Sequence, residues 1–345
     1  MKKLTILSIM LLAGVLTACH NQDWEFPDYK YTTVYFAYQT PVRTIVLGED
    51  IYDTSLDNAH KCKIMATTGG VYQNNHNIVL DLSLDENLCK GFTFGEGGET
   101  VEAMPHHYYN YDDFVNTKLT IPSGQIAGGI EVQLTDEFFK DEKAIQNKYV
   151  IPMVINSVSN ADSILRGKPA VANPNRLIAA DWGTQPKDYI LYCIKYINPW
   201  DATYLRRGKE VVTEDGAQRE IVRHASYVEK DEKCALNTYN LKTVTASFKT
   251  YDKNKLEVPF TMSLTFDDNN NCIVKQKEGA DYVITGNGKF VKDGDKKSWG
   301  QEDRDAVYLD YTLTLGNSNT YAIKDTLVVL TRGVVAETFK PVAIP

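Results

Sequence analysis

Nearly every apolar run in this chain is short, rich in β-branched and aromatic residues, and closed by Gly, Pro, Asn or Asp. That pattern builds strands and leaves almost no room for helices. Residues 32–38 stop before Pro41, residues 43–47 before Gly48, and residues 62–67 before Gly69 and Gly70. Residues 77–84 alternate with period two, which sends Ile78, Leu80, Leu82 and Leu84 to one face of a strand. Residues 130–134 alternate in the same way, and residues 117–121 run into Pro122. Residues 149–155 are apolar with Pro152 inside, which predicts an edge strand or a bulge. The best helical spacing is brief, over 137–146. Strands and turns at this spacing predict an immunoglobulin-like β-sandwich over 32–160.

Gly167, Pro169, Pro174, Gly183 and Pro186 crowd into 161–187, which reads as a linker. Strand-like runs then resume at 189–196, 241–248, 260–266, 281–285, 306–315 and 325–331. Asp267–Asn271 reads as a turn between two of these runs. Consecutive strands on short turns predict a meandering antiparallel sheet over 188–345, closed into a lipocalin- or calycin-like barrel that hides its edges. Trp200 is expected to pack beneath the first barrel strand. The fold class expected is therefore all-β, and 345 residues suffice for two such domains.

The N-terminus carries a different signal. Lys2 and Lys3 precede an apolar run, and Leu16, Thr17 and Ala18 lead to Cys19. A basic start, a short apolar segment and small residues before a cut site make a secretory signal peptide over 1–18. A cysteine directly after the cut is the acceptor of a lipid anchor, so Cys19 becomes the lipidated N-terminus. Residues 19–31, with Trp24, read as a polar tether. His20 in place of Asp after the anchor directs such a protein to the outer membrane, and the expected location is there, facing the exterior. Cleavage removes Lys2 and Lys3 and leaves 35 basic against 45 acidic residues. That balance disfavours nucleic acid as a partner. Cys62, Cys89, Cys193, Cys234 and Cys272 remain, an odd number with no Cys-x-x-Cys, so neither zinc nor a redox motif is indicated. A Cys62–Cys89 bridge is one open pairing, and Cys193 reads as a small apolar strand residue.

The anchor signal, the run beginning Val34, the run from Ile121 into Pro122, and the strands at 130–134 and 149–155 resemble an N-terminal β-sandwich domain common in Bacteroidetes surface lipoproteins. That domain also precedes some family 18 glycoside hydrolase modules. Residues 203–208, 227–232, 299–300, 307–311 and 325–329 resemble a β-rich C-terminal domain of uncharacterised function that accompanies it. The resemblance implies a setting beside outer-membrane glycan transporters and the capture of polysaccharide or oligosaccharide. It carries over no active site.

Sugars stack C–H faces on aromatic rings and bond their hydroxyls to polar side chains. Residues 105–114 are the densest such cluster, with His107, Tyr109 and Tyr111 as candidate contacts. The alternative is a sandwich strand with Tyr108 and Phe114 pointing inward. Trp299 lies in a charged loop, 292–304, as a stacking platform or as a plug closing one barrel end. Trp182, in the linker, is either a further platform or glue between domains. Arg206 and Arg207 would grip an acidic sugar or form surface ion pairs. Adjacent His106 and His107 lack helical zinc spacing. Asp293 and Asp295, like Asp267 and Asp268, lack the calcium-loop pattern. The acidic neighbours of Cys234 disfavour a thiolate. No nucleophile elbow, zincin motif or phosphate loop is present. A non-catalytic glycan-binding protein is expected, with no metal and no cofactor. The alternative is a structural or adhesive surface protein that contacts protein partners.

Overall fold

The computed structural model describes residues 29–316 and 319–345. Cys19, Trp24 and the leader lie outside them. Among the described residues, no helix is long and apolar enough to cross a membrane. The architecture is all-β, with a two-sheet first half and a closed barrel in the second.

One sheet of the sandwich orders its strands Ser163–Ile164, Thr33–Tyr35, Lys61–Gly69 and Ala127–Gln133. The facing sheet runs Glu337–Thr338, Pro41–Val46, Tyr189–Ile197, Tyr149–Ser159, Ile78–Leu84 and Leu119–Ile121, with Glu102–Ala103 alongside Tyr149–Ser159. Alternation does the work in Lys61–Gly69: Cys62, Ile64 and Ala66 point inward while Lys63 and Met65 face solvent. They meet Ile78, Leu80, Ile151 and Ile194 from the other sheet in one apolar core. Each fully buried Ile or Leu there contributes roughly 1.5–3 kcal/mol. The outer face of the larger sheet is also covered. Val42, Val150, Leu191 and Cys193 pack there against Leu88, Phe92, Val101 and Phe339. A sheet buried on both faces explains why Tyr149–Ser159 begins with seven consecutive buried residues.

Several local expectations change. Tyr189–Ile197 does not open the barrel; it pairs with Pro41–Val46 and Tyr149–Ser159 in the sandwich. The tail returns as well: Glu337–Thr338 pairs with Pro41 and Val42, and Val342 pairs with Thr93. Pro152 lies in an inner strand, opposite Leu191. Its other flank is where the neighbour changes from Glu102–Ala103 to Ile78–Leu84, and its carbonyl accepts there from Asp85 N at 3.0 Å. The missing N–H points into that local break, so no ladder bond is lost. The helix expected over 137–146 splits into Asp136–Lys140 and Glu142–Ile145. Asp141 divides them: its carboxylate accepts from Lys143 N at 2.9 Å, Tyr108 Oη at 2.8 Å and Tyr149 Oη at 2.6 Å. The Cys62–Cys89 bridge is not formed, and both residues are free and buried. Cys193 is a buried strand residue, and burial pushes its thiol up to about 12.

The chain keeps one heading from the start of the sandwich to its far end. Phe36 N donates to Lys187 O, Leu191 N to Gln39 O, Val42 pairs with Cys193, and Val46 pairs with Ile197. Residues 36–46 thus run alongside 187–197 in parallel. The chain start and the Gly48 turn therefore lie at opposite poles of the sandwich.

Eight strands close the barrel: Ala202–Glu214, Glu232–Asn240, Thr243–Tyr251, Glu257–Phe266, Asn271–Gln276, Tyr282–Asp295, Arg304–Leu315 and Asn319–Thr331. Closure comes from the register of Thr203↔Thr331 through Thr213↔Thr320. Ala217–Arg223 pairs onto Ala202–Glu214 as an additional strand. The interior is filled by Tyr204, Phe248, Phe260, Met262, Tyr311 and Leu327. Trp200 packs in the barrel core, stacked on Phe266 at 4.1 Å; the strand 189–196 that it is expected to underlie belongs to the sandwich. Arg206 is wholly buried, not a surface residue. It shares the inward parity of Tyr204, and its Nε donates to Asp325 Oδ2 at 3.0 Å. Tyr311 Oη donates to the same oxygen at 2.9 Å, and Arg223 Nη2 reaches Asp325 Oδ1 at 3.1 Å. Arg207, on the other face, pairs with Asp231.

Candidate functional site

The sandwich meets the barrel at a glycine. Gly48 has φ +85°, and a Cβ there would lie 2.8 Å from Pro199 Cβ, so only glycine permits this approach. Arg332 fastens the junction from the barrel side. Its Nη1 donates to Leu47 O at 2.7 Å and Glu49 O at 3.1 Å, its Nη2 to Asn198 O at 2.6 Å, and its Nε to Asp201 O at 3.2 Å. Burial lowers the pKa of this guanidinium.

Around that fastening opens a cleft of about 610 Å³. This falls within the range of small-molecule sites, which favour domain junctions. Loop 49–52 forms one wall, and barrel residues 290–293, 299–305 and 329–335 form the others. Trp299 is in the lining. Its Nε1 donates to Val329 O at 3.1 Å, and the Arg304 guanidinium covers one ring face at 3.5 Å from the centroid. Arg304 is itself held by Glu302 at 2.6 Å. The indole is thereby fixed before any ligand arrives, which lowers the entropic cost of stacking on it. Tyr52 supplies a second ring to the lining, and burial together with Asp50 raises the pKa of its phenol.

The loop beneath Trp299 is held in an unusual shape. Asp293, Lys297 and Gln301 adopt φ of 51°, 46° and 62°. Non-glycine residues in that region carry strain of order 1 kcal/mol each, and such residues cluster at functional sites. Cross-loop bonds hold the conformation: Asp293 N donates to Asp305 at 2.8 Å, Lys297 N to Asp303 at 2.9 Å, and Ser298 N to Glu302 O at 2.8 Å. Lys297 N–H and the Lys296 ammonium hold the Asp303 carboxyl below the usual aspartate range.

The cations of the cleft are already engaged. Arg332 serves four carbonyls, Arg304 serves Glu302 and the indole, and Lys292 pairs with Glu49 at 2.6 Å. The carboxylates of Asp50, Asp293 and Asp305 also line it, and none forms an ion pair among the described residues.

Of the glycan-contact candidates singled out from sequence, Trp299 alone lies in the cleft, beside Asp293, which the sequence raises only for calcium. On the sandwich, His107 lies in a 3₁₀ turn and Tyr111 in a short helix, and Tyr109 between them is extended in a single bridge to Leu134. Tyr109 is 4% exposed and packs edge-on to Tyr111 and Phe114, so it belongs to the core and offers no ring face. Tyr111 is half-buried with His106 stacked on it at 3.7 Å. His107 is exposed, edge-on to Tyr108. Trp182 is half-buried; its Nε1 donates to Asn175 O at 2.8 Å, inside its own 165–187 excursion. That segment docks on the sandwich through Arg166 and Arg176, which both reach buried Asp188. Among the described residues, no group of His, Cys, Asp or Glu could hold a metal ion. The Cys234 thiol is pushed up to about 12 by burial and by Glu232 and Asp325. Residues 49–52, Arg304 and 332–335 escaped sequence reasoning. They share no motif, and only the Gly48 turn marks the place.

One family model, described as an N-terminal domain, matches residues 29–162, and a second, Domain of unknown function (DUF5627), matches residues 199–333. A crystal structure of a Bacteroides ovatus protein of unknown function is 43% identical, with TM-score 0.86, over 91% of this chain and 99% of that one. A second Bacteroides ovatus structure, provisionally described as carbohydrate binding, aligns over 91% of this chain and 100% of that one at 11% identity and TM-score 0.27, too poor a superposition to bear on function. No curated protein matches the sequence.

Proposed function

This chain belongs to the family of that Bacteroides ovatus protein, and on that premise we propose that it is a non-catalytic carbohydrate receptor whose site is the junction cleft, held at a cell surface by lipid on Cys19. The observation that carries the reading is the fixed indole of Trp299 in a cleft lined by carboxylates. An aromatic ring held in place offers a sugar face a platform, and the surrounding Asp side chains accept from its hydroxyls. The engaged cations and the unpaired Asp50, Asp293 and Asp305 favour neutral or amino sugars over uronates and sulfated chains. Residues 16–19 support the anchor, and His20 after it supports an outer-membrane address.

A glycan array spanning neutral, amino and acidic polysaccharides tests this reading. The expected result is retention of neutral or amino-sugar chains, weakened by Trp299→Ala. Retention of none, or of acidic chains alone, overturns it.

A further inference from the structure

We infer that the pole of the sandwich opposite the cleft rests on the headgroups of the membrane that carries the Cys19 lipid; this inference rests on the anchoring part of the proposal above. Three segments meet at that pole. Thr33 pairs with both Gly69 and Ser163, Thr67 pairs with Ala127, and Gly124 N donates to Asn74 O at 2.9 Å. Residues 29–32, 70–77 and 122–126 therefore share one end of the fold. Four large side chains project from it: Tyr29 is 74% exposed, Tyr31 56%, Tyr72 65% and Ile126 61%.

The backbone under these side chains is fixed. Thr68 N donates to Ile126 O at 2.9 Å, and Thr32 N to Asp162 Oδ2 at 2.6 Å. Gly70 abuts Tyr31 so closely that a Cβ there would lie 2.0 Å from the Tyr31 carbonyl oxygen. The pole thus presents tyrosine rings on a firm base. Tyrosine favours the membrane–water interface because its ring is apolar and its hydroxyl stays wet.

Charge gives the same orientation. Loops 70–77 and 122–126 contain no acidic residue, in a chain that has 45, and the exposed Asp162 at this pole is engaged by Thr32 N. The opposite pole carries Glu49, Asp50, Asp293, Asp303 and Asp305. An anionic leaflet repels that pole and tolerates this one. Length agrees too. Nine residues lie between Cys19 and Tyr29, and the ten Cα–Cα steps span at most roughly 36 Å. Residues 33–47 run the length of the sandwich, up to roughly 45 Å at strand rise. The tether holds the tyrosine pole at the bilayer and leaves the cleft on the far side.

Hydrogen–deuterium exchange tests the contact. Lipidated full-length protein on phosphatidylethanolamine–phosphatidylglycerol vesicles is compared with its Cys19→Ser form free in solution, and the same digest reports the acyl mass on Cys19. Peptides covering 70–77 and 122–126 are expected to exchange about tenfold more slowly on vesicles, while 48–53 is unchanged. The triple variant Tyr31→Ser, Tyr72→Ser, Ile126→Ser is expected to lose that protection and keep its carbohydrate binding. Acyl mass on Cys19 with exchange at this pole within about twofold of the free form overturns the contact and leaves the anchor standing. Absence of acyl mass overturns both.

Discussion

Asp325 holds two guanidiniums inside the barrel, Arg206 through Oδ2 and Arg223 through Oδ1. Arg223 also donates to Glu210 at 2.8 Å, and the Arg206 guanidinium lies over Phe248 at 4.1 Å from the ring centroid. Burial works against both cations, and Asp325 nevertheless keeps their pKa values raised. Removing one partner of such a network leaves the others buried and uncompensated. Asp325→Ala is therefore expected to cost about 3–5 kcal/mol, read as a lowered midpoint in urea unfolding. Asp141 gives a pH prediction. Burial opposes its ionisation, but Tyr149, Lys143 N–H and Tyr108 together hold its folded pKa below the usual value of 3.8. A depressed carboxylate contributes stability that is present above its unfolded pKa and is lost as pH falls through the folded one. The wild type is expected to lose stability below about pH 4, and Asp141→Asn to show a shallower acid limb in denaturation titrations. Little of this could be read from the chain. Arg206 and Arg207 look like one exposed basic pair, and only the inward parity of Tyr204 separates them. Residues 105–114 look like a binding cluster because composition shows the rings but not that Tyr109 and Phe114 are inside.

At the scale of the element, period-two alternation predicts strands well because burial on one face imposes it locally. Ile78–Leu84 and Ala127–Gln133 were legible for that reason. Tyr149–Ser159 was legible as a strand and not as an inner one, because its position is set by partners distant in sequence. Its proline is tolerated at a break between two neighbours that no local pattern announces. Loop 292–304 was legible as a charged loop carrying an indole, and its left-handed residues were not. They yield a prediction: Gln301→Gly relieves a positive φ and is expected to stabilise the protein by about 1 kcal/mol, seen as a raised Tm. Gly48→Val does the reverse at the junction. Its Cβ would sit 2.8 Å from Pro199, so Tm and carbohydrate affinity are expected to fall together.

At the scale of the molecule, the all-β class, the sandwich and the barrel followed from the sequence; their boundary did not. Tyr189–Ile197 and the tail beyond residue 333 belong to the sandwich sheet, so the barrel is an insertion between two of its strands. Deleting residues 334–345 uncovers Val42, Leu88 and Phe92, which pack with Phe339. Faster hydrogen exchange is expected in the sandwich strands and not in the barrel. The cleft was legible only through Trp299, because its walls come from loops about 250 residues apart that meet only after folding. Calorimetric titration of the wild type and Trp299→Ala with the strongest array ligand tests the central claim most directly. The account predicts an affinity loss of about tenfold or more, roughly 1.4 kcal/mol, with the barrel still folded by circular dichroism. Equal affinities in the two proteins would contradict it.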